Sequence, residues 1–110
     1  MIIKISPTSK FFLTTFEKLE ESDGIIDIGE HICKGFFDTY ENAFNTLVDI
    51  AKTQTTKENR FAIIELFEEG YSPVCGPATR ILFKYDKINN TYKKIEETDI
   101  TRKFVNFAIN

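Results

Sequence analysis

The spacing of apolar positions changes period several times along the chain, and each change marks a different element. Between Tyr40 and Ala51 the apolar residues Tyr40, Ala43, Phe44, Leu47, Val48 and Ala51 recur at helical spacing. That i, i+3, i+4, i+7 recurrence is one face of a helix. Glu41, Asn42, Asn45, Asp49 and Lys52 fill the other side, so an amphipathic helix is expected here. Asp38 followed by Glu41 has the form of a capping box, in which each side chain satisfies an N–H left open at the helix start. A helix that docks on a partner would carry the same stripe. The simpler occupant is the protein's own sheet, because a sheet in a small domain needs a covered face.

Elsewhere the period falls to two. In Phe61–Phe67 (FAIIELF), alternation puts Phe61, Ile63, Glu65 and Phe67 on one face and Ala62, Ile64 and Leu66 on the other. Both faces are mostly apolar, which predicts a central strand. Phe11–Lys18 (FFLTTFEK) reads as a strand from its aromatic and β-branched content, with a helical spacing of Phe12, Phe16 and Leu19 as the competing reading. His31–Phe37 (HICKGFF) is a second aromatic run. Residues 19–30 between them are acidic and hold Asp23-Gly24, a turn signal, so the two runs form a hairpin with a long acidic connection. Arg80–Tyr85 and Thr91–Ile95 form another hairpin across residues 86–90, where Asn89 and Asn90 tolerate left-handed backbone. Glu68–Thr79, with two glycines and two prolines, is an irregular loop, and Phe104–Ile109 (FVNFAI) is a last strand or docked segment. The order β-β-α-β-β-β predicts an α+β fold. An antiparallel sheet of about five to six strands packs on one main helix, and 110 residues suit a single domain over 1–110.

Composition sharpens this outline. Aromatic residues make up 14% of the chain, as 11 Phe and 4 Tyr with no Trp. Phe rings are bulky and lack polar atoms, so a core is their expected place. Net charge is −3, which disfavours a nucleic-acid partner. The charge is uneven, however: residues 79–110 hold seven basic and four acidic side chains, while residues 1–78 hold seven and thirteen. Met1–Ser6 (MIIKIS) is too short for the apolar core of a secretory leader, and no apolar run approaches the ~20 residues of a membrane span. A cytoplasmic protein with reduced cysteines and no membrane partner is the expectation.

Candidate chemistry is thin. His31, Cys33 and Cys75 are the only soft metal ligands, fewer than the four of a structural zinc site. His31-Ile-Cys33 and Pro73-Val-Cys75 echo a zinc deaminase, but its Glu and second Cys are missing. No metal and no cofactor are expected. On a strand, His31 and Cys33 share a face about 6.8 Å apart, awkward for a thiol–imidazole pair. Glu65 interrupts an apolar face and needs a cation or donor, with Arg60, Arg80 and Lys84 as candidates. It would serve as a structural ion pair or as an acceptor lining a pocket. Residues 70–77 could turn backbone N–H groups towards an anion beside Arg80, although no phosphate-loop motif is present.

Phe11–Glu17 (FFLTTFE), Asp27–Phe37 (DIGEHICKGFF), Thr39–Ala51 (TYENAFNTLVDIA), Phe61–Tyr71 (FAIIELFEEGY), Ile81–Tyr85 and residues 106–109 (NFAI) follow one another in order. Together they resemble a group of small, uncharacterised phage and prophage accessory proteins. Lys34 and Tyr85 depart from the group's pattern, standing where it has Trp, and Thr53–Arg60 replaces an acidic, tyrosine-containing stretch. The group has no assigned activity, so no site residue is carried over. The resemblance implies a non-catalytic binding protein, in the host cytoplasm if phage-encoded, with counter-defence as a task. One expectation is sequestration of a small nucleotide-like immune signal in a pocket, often at a homo-oligomer interface. Its ligand-binding residues would be Arg80, Lys84 and Tyr71, with Glu65 and His31 as further candidates. The alternative is a blocker of a host protein, using the acidic surface of residues 17–30. A small hydrolase would instead need His31 or Glu65 in a cleft beside a second titratable group.

Overall fold

The computed structural model of the chain describes residues 10–53, 56–67 and 79–97. The run with the strongest two-residue alternation is a strand, β5 (Phe61–Phe67), at the centre of a five-stranded sheet. With β1 (Lys10–Phe16), β4 (His31–Phe37), β6 (Thr79–Asp86) and β7 (Thr91–Ile95), the order is β4-β1-β5-β6-β7. Every neighbouring pair is antiparallel. Helix α1 (Tyr40–Thr53) carries the chain from edge strand β4 over β1 to β5. The protein is therefore α+β, with its main sheet packed against one helix.

Pleating sorts the side chains. Leu13, Ala62, Ile64, Phe83 and Tyr92 face α1 and meet Ala43, Leu47, Ile50 and Ala51 in one buried cluster. The helix stripe thus includes Ile50, which strict heptad-like spacing passes over; positions i+3 and i+4 from Leu47 are both inside. Phe16, Ile63 and Leu82 point the other way and pack with Ile28, Leu19 and Ile26. Those last three come from the acidic connection, which is more ordered than a loop. It contains β2 (Glu20–Ser22) and β3 (Ile25–Asp27), joined by Asp23-Gly24 with φ values of 53° and 78°. Positive φ at both central residues is the tight two-residue hairpin turn that Gly permits without strain.

Two boundaries and one register differ from the sequence reading for physical reasons. The helix cap is Thr39, whose Oγ1 accepts the Asn42 N–H at 3.1 Å. Asp38 is instead taken by an ion pair with Lys10. Strand β1 stops at Phe16, because the Glu17 and Lys18 N–H groups turn to the Ile28 and Glu30 carbonyls. Along β4, pairing with β1 steps from Leu13↔Gly35 to Thr14↔Cys33, which makes Lys34 the extra residue of a bulge. Phe104–Ile109 and most of the loop 68–79 lie outside the described residues. Among the described residues, no helix is long and apolar enough to cross a membrane.

The Thr14 and Thr15 side chains are fully buried, and among the described residues their hydroxyls have no hydrogen-bond partner. A buried hydroxyl without a partner costs roughly 1–3 kcal/mol on mutational scales. Thr15→Val replaces it with a methyl group and keeps the β-branched shape. The expected result is a gain of about 1 kcal/mol in urea denaturation. A comparable loss would show that the hydroxyl is bonded.

Candidate functional site

Strand order brings together residues that are far apart in sequence. β1 and β6 run parallel and end on the same side of the sheet, where β5 begins between them. A concavity of about 730 Å³ opens there. Among the described residues its lining holds five cations, Lys18, Lys57, Arg60, Lys84 and Lys87, against two carboxylates, Glu17 and Glu20, together with Phe61 and Tyr85. In a chain of net charge −3, this is a local positive excess.

The cations are not equivalent. Lys18 bridges Glu20 at 3.5 Å and Asp27 at 3.0 Å, and Lys57 reaches Glu30 at 3.5 Å. Hydrogen bonding to Asp27 raises the Lys18 pKa; the Gly29 N–H, and then Lys18, lower that of Asp27. Among the described residues, no carboxylate pairs with Arg60, Lys84 or Lys87. All three are exposed. Lys84 Nζ lies 5.8 Å from the centroid of Phe61, whose ring also stacks on Phe16 at 5.2 Å. An ammonium over an aromatic face is held electrostatically, and its remaining N–H donors stay open to an anion.

Hydrogen bonds fix the frame behind these groups. Residues Lys57–Asn59 form a 3₁₀ turn that presents Arg60, and the Arg60 carbonyl accepts the Tyr85 N–H at 2.9 Å. The Asn59 amide donates to Thr56 Oγ1 at 3.1 Å, and the buried Tyr92 hydroxyl donates to the Asn59 carbonyl. Burial, with a smaller effect from Tyr85, pushes the Tyr92 pKa up, so the phenol stays a donor. At the opposite wall, Glu17 Oε1 accepts the Glu30 N–H at 3.3 Å. A Cβ at Gly29 would come within 2.5 Å of that oxygen, so this glycine gives Glu17 the room to lie across the turn. Beside the concavity, the Asp86 carboxylate accepts from Asn89 Nδ2 at 2.7 Å, the Ile88 N–H at 3.0 Å and Lys93 at 3.1 Å, closing the turn that carries Lys87.

The residues expected from sequence divide between places. Lys84 lines the concavity. Arg80 shares its strand face but sits about 13 Å further along β6, from four strand rises. It is engaged there by Glu97 at 2.5 Å and Glu65 at 3.9 Å. Of the three candidate partners for Glu65, Arg80 is the one that pairs, and Glu65 is fully buried on central strand β5. A second concavity, of about 490 Å³, includes Arg80 and Lys94 with Glu96 and Glu97, so its charges balance. His31 is exposed at the start of β4, its Nδ1 3.3 Å from the Gly29 carbonyl oxygen. The register sets His31 beside Phe16 and Phe61, two strands and four residues away from Glu65. Tyr71 lies outside the described residues, as does Cys75. Cys33 is a free, exposed thiol. Among the described residues, no three His, Cys, Asp or Glu side chains are grouped to hold a metal ion.

Arg60 and Lys87 were not read from sequence as site residues. Lys87 could have been drawn from the basic excess after residue 79, whereas Arg60 depends on β5 lying between β1 and β6. Comparison of the chain with protein-family models, with curated proteins and with solved structures finds no match.

Two outcomes follow from this frame. Tyr92→Phe leaves the Asn59 carbonyl without its phenol donor and should cost about 1 kcal/mol in chemical denaturation. Asp86 has its pKa lowered from 3.8 to about 2, first by the Asn89 side chain and then by Lys93. Its stabilising contribution is therefore fully present above pH 3.8 and is lost as pH falls through about 2. The stability gap between the wild type and Asp86→Asn should be constant near neutrality and close over that acid window in a pH series of melts.

Proposed function

We propose that this chain is a non-catalytic binding protein that sequesters a small nucleotide-like anion in the concavity at the shared end of β1 and β6. The observation that carries this reading is the set of three exposed cations, Arg60, Lys84 and Lys87, that line one concavity with no carboxylate partner among the described residues, Lys84 over the Phe61 ring. Arg and Lys supply charge-assisted hydrogen bonds to phosphate oxygens, and the cavity volume falls in the usual range for small-ligand sites. Arg80, satisfied by two carboxylates, has no comparable surplus to offer. Turnover has less support, because His31 and Glu65 stand apart and Glu65 is closed to solvent. In the phage setting that the sequence resemblance implies, stoichiometric capture of a host nucleotide signal is a counter-defence task.

A second reading also has an observation in its favour. The β2–β3 hairpin exposes Glu20, Glu21, Asp23 and Asp27, with Ile25 71% exposed among them. Such a surface suits a blocker of a basic host protein.

Thermal unfolding with a panel of mono-, di- and cyclic nucleotides separates the two. At a hundredfold excess over the dissociation constant, binding adds about 2.7 kcal/mol, a rise of more than about 10 °C for a domain of this size. The shift should shrink with added salt and be lost in Arg60→Ala/Lys84→Ala, while Lys94→Ala leaves it unchanged. No shift across the panel, together with co-purification of a host protein through the hairpin, would overturn sequestration in favour of the blocker. Ligand recovered intact after denaturation distinguishes binding from turnover.

A further inference from the structure

The two walls of the concavity differ in charge, one carrying Glu17 and Glu20 with the paired Lys18 between them, and the strand order gives their spacing. Glu17 and Glu20 follow the end of β1, Arg60 directly precedes Phe61 at the start of β5, and Lys84 lies near the end of β6 with Lys87 just beyond it. Two strand spacings separate the β1 wall from the β6 wall, about 9.6 Å. An anion alone would gain little from this wall, where Lys18 is already paired with Glu20 and Asp27 and the Glu17 carboxylate would repel it. A ligand with phosphate at one end and hydrogen-bond donors at the other would use both.

We infer that the concavity is bipolar and takes a ribonucleotide lengthwise, its phosphate against Arg60, Lys84 and Lys87 and its ribose diol against the carboxylates of Glu17 and Glu20. This rests on the proposed binding of a nucleotide-like anion and adds its orientation and sugar specificity. Ionised carboxylates only accept hydrogen bonds, and a vicinal diol presents two donors side by side; acidic residues hold ribose hydroxyls in this manner in dinucleotide sites. Among the described residues, both carboxylates keep open acceptor positions. Glu17 spends one oxygen on the Glu30 N–H at 3.3 Å, which fixes its direction, and Glu20 meets Lys18 at 3.5 Å through a single oxygen. Each carboxylate has about four lone-pair sites. The acidic wall also sets polarity, because a phosphate turned towards Glu17 and Glu20 would face like charge.

The test is isothermal titration of the full chain with the common ribonucleoside monophosphates, their 2′,3′-dideoxy counterparts and inorganic pyrophosphate. It is repeated in Glu17→Gln/Glu20→Gln. The Glu17→Gln change keeps an amide oxygen for the Glu30 N–H, and Glu20 is exposed, so a melt of the variant should match the wild type. The wild type is expected to prefer at least one ribonucleotide over its dideoxy form by about tenfold, the loss of charge-assisted hydrogen bonds. In the double variant that preference should disappear, while pyrophosphate binds about twofold tighter, as the Coulomb interaction of unit charges about 10 Å apart in water dictates. A weakened but nonspecific site would move both affinities in the same direction. Equal affinity for ribo and dideoxy forms in the wild type, or a preference that survives in the variant, overturns the bipolar assignment and leaves anion binding standing. Failure of nucleotides and pyrophosphate alike to bind overturns both.

Discussion

Two-sided burial of β1 and β5 is the constraint from which the rest of the molecule follows. These neighbouring strands carry Leu13, Ala62 and Ile64 on one face and Phe16 and Ile63 on the other, all nearly inaccessible. A single helix can cover only one of those faces. The other needs a second cover, and the excursion between β1 and β4 supplies it with Leu19, Ile26 and Ile28. Its charged side chains are then left on the outside, which explains how a run so rich in acidic residues can be part of the core's closure. The same excursion raises a carboxylate wall next to the end of the sheet. Burial and electrostatics at this end are thus two results of one packing requirement.

Cations divide between two kinds of work along β6. Arg80 lies against fully buried Glu65, and an unpaired carboxylate in that position would be costly enough to threaten the fold. Guanidinium geometry lets it serve Glu97 as well. Lys84, two residues past the buried Leu82 on the same face, rests over Phe61 and keeps its charge at the surface. One strand face therefore passes from structural pairing to open positive charge within four residues. The transition coincides with the last residue of β6 that pairs with β5, Lys84 opposite Phe61.

Most of the architecture could be read from local pattern. Alternation in Phe61–Phe67 identified a strand buried on both faces, and the Tyr40–Ala51 spacing identified the helix, because both signals extend over several repeats. What escaped was either too short or settled at long range. Glu20–Ser22 and Ile25–Asp27 are three residues each, too few to display a period. Asp38 and Thr39 are both good cap formers, and the choice between them goes with the Asp38 pairing to Lys10 on β1. The site follows the same logic. Lys84 was visible as a cation on a predicted strand, but its grouping with Arg80 assumed that a shared face means a shared place. Arg60 joins Lys84 only through the β5–β6 register, which no window of sequence around either residue contains.

The bulge at Lys34 has a consequence for how this chain coexists with copies of itself. Ile32 and Phe36 are 43% and 63% exposed on edge strand β4, four residues apart. In a regular strand that separation would set both side chains on one face, as an apolar strip beside an open row of N–H and C=O groups. With one extra residue between them, Ile32 falls opposite Thr15 and Phe36 opposite Phe12, so the two project from opposite faces of the sheet. The added twist of a bulge also removes the straight edge that a second chain would need as a template for cross-chain pairing. A single inserted residue thereby disfavours fibrous self-association at a strand that, among the described residues, has a neighbour on one side alone.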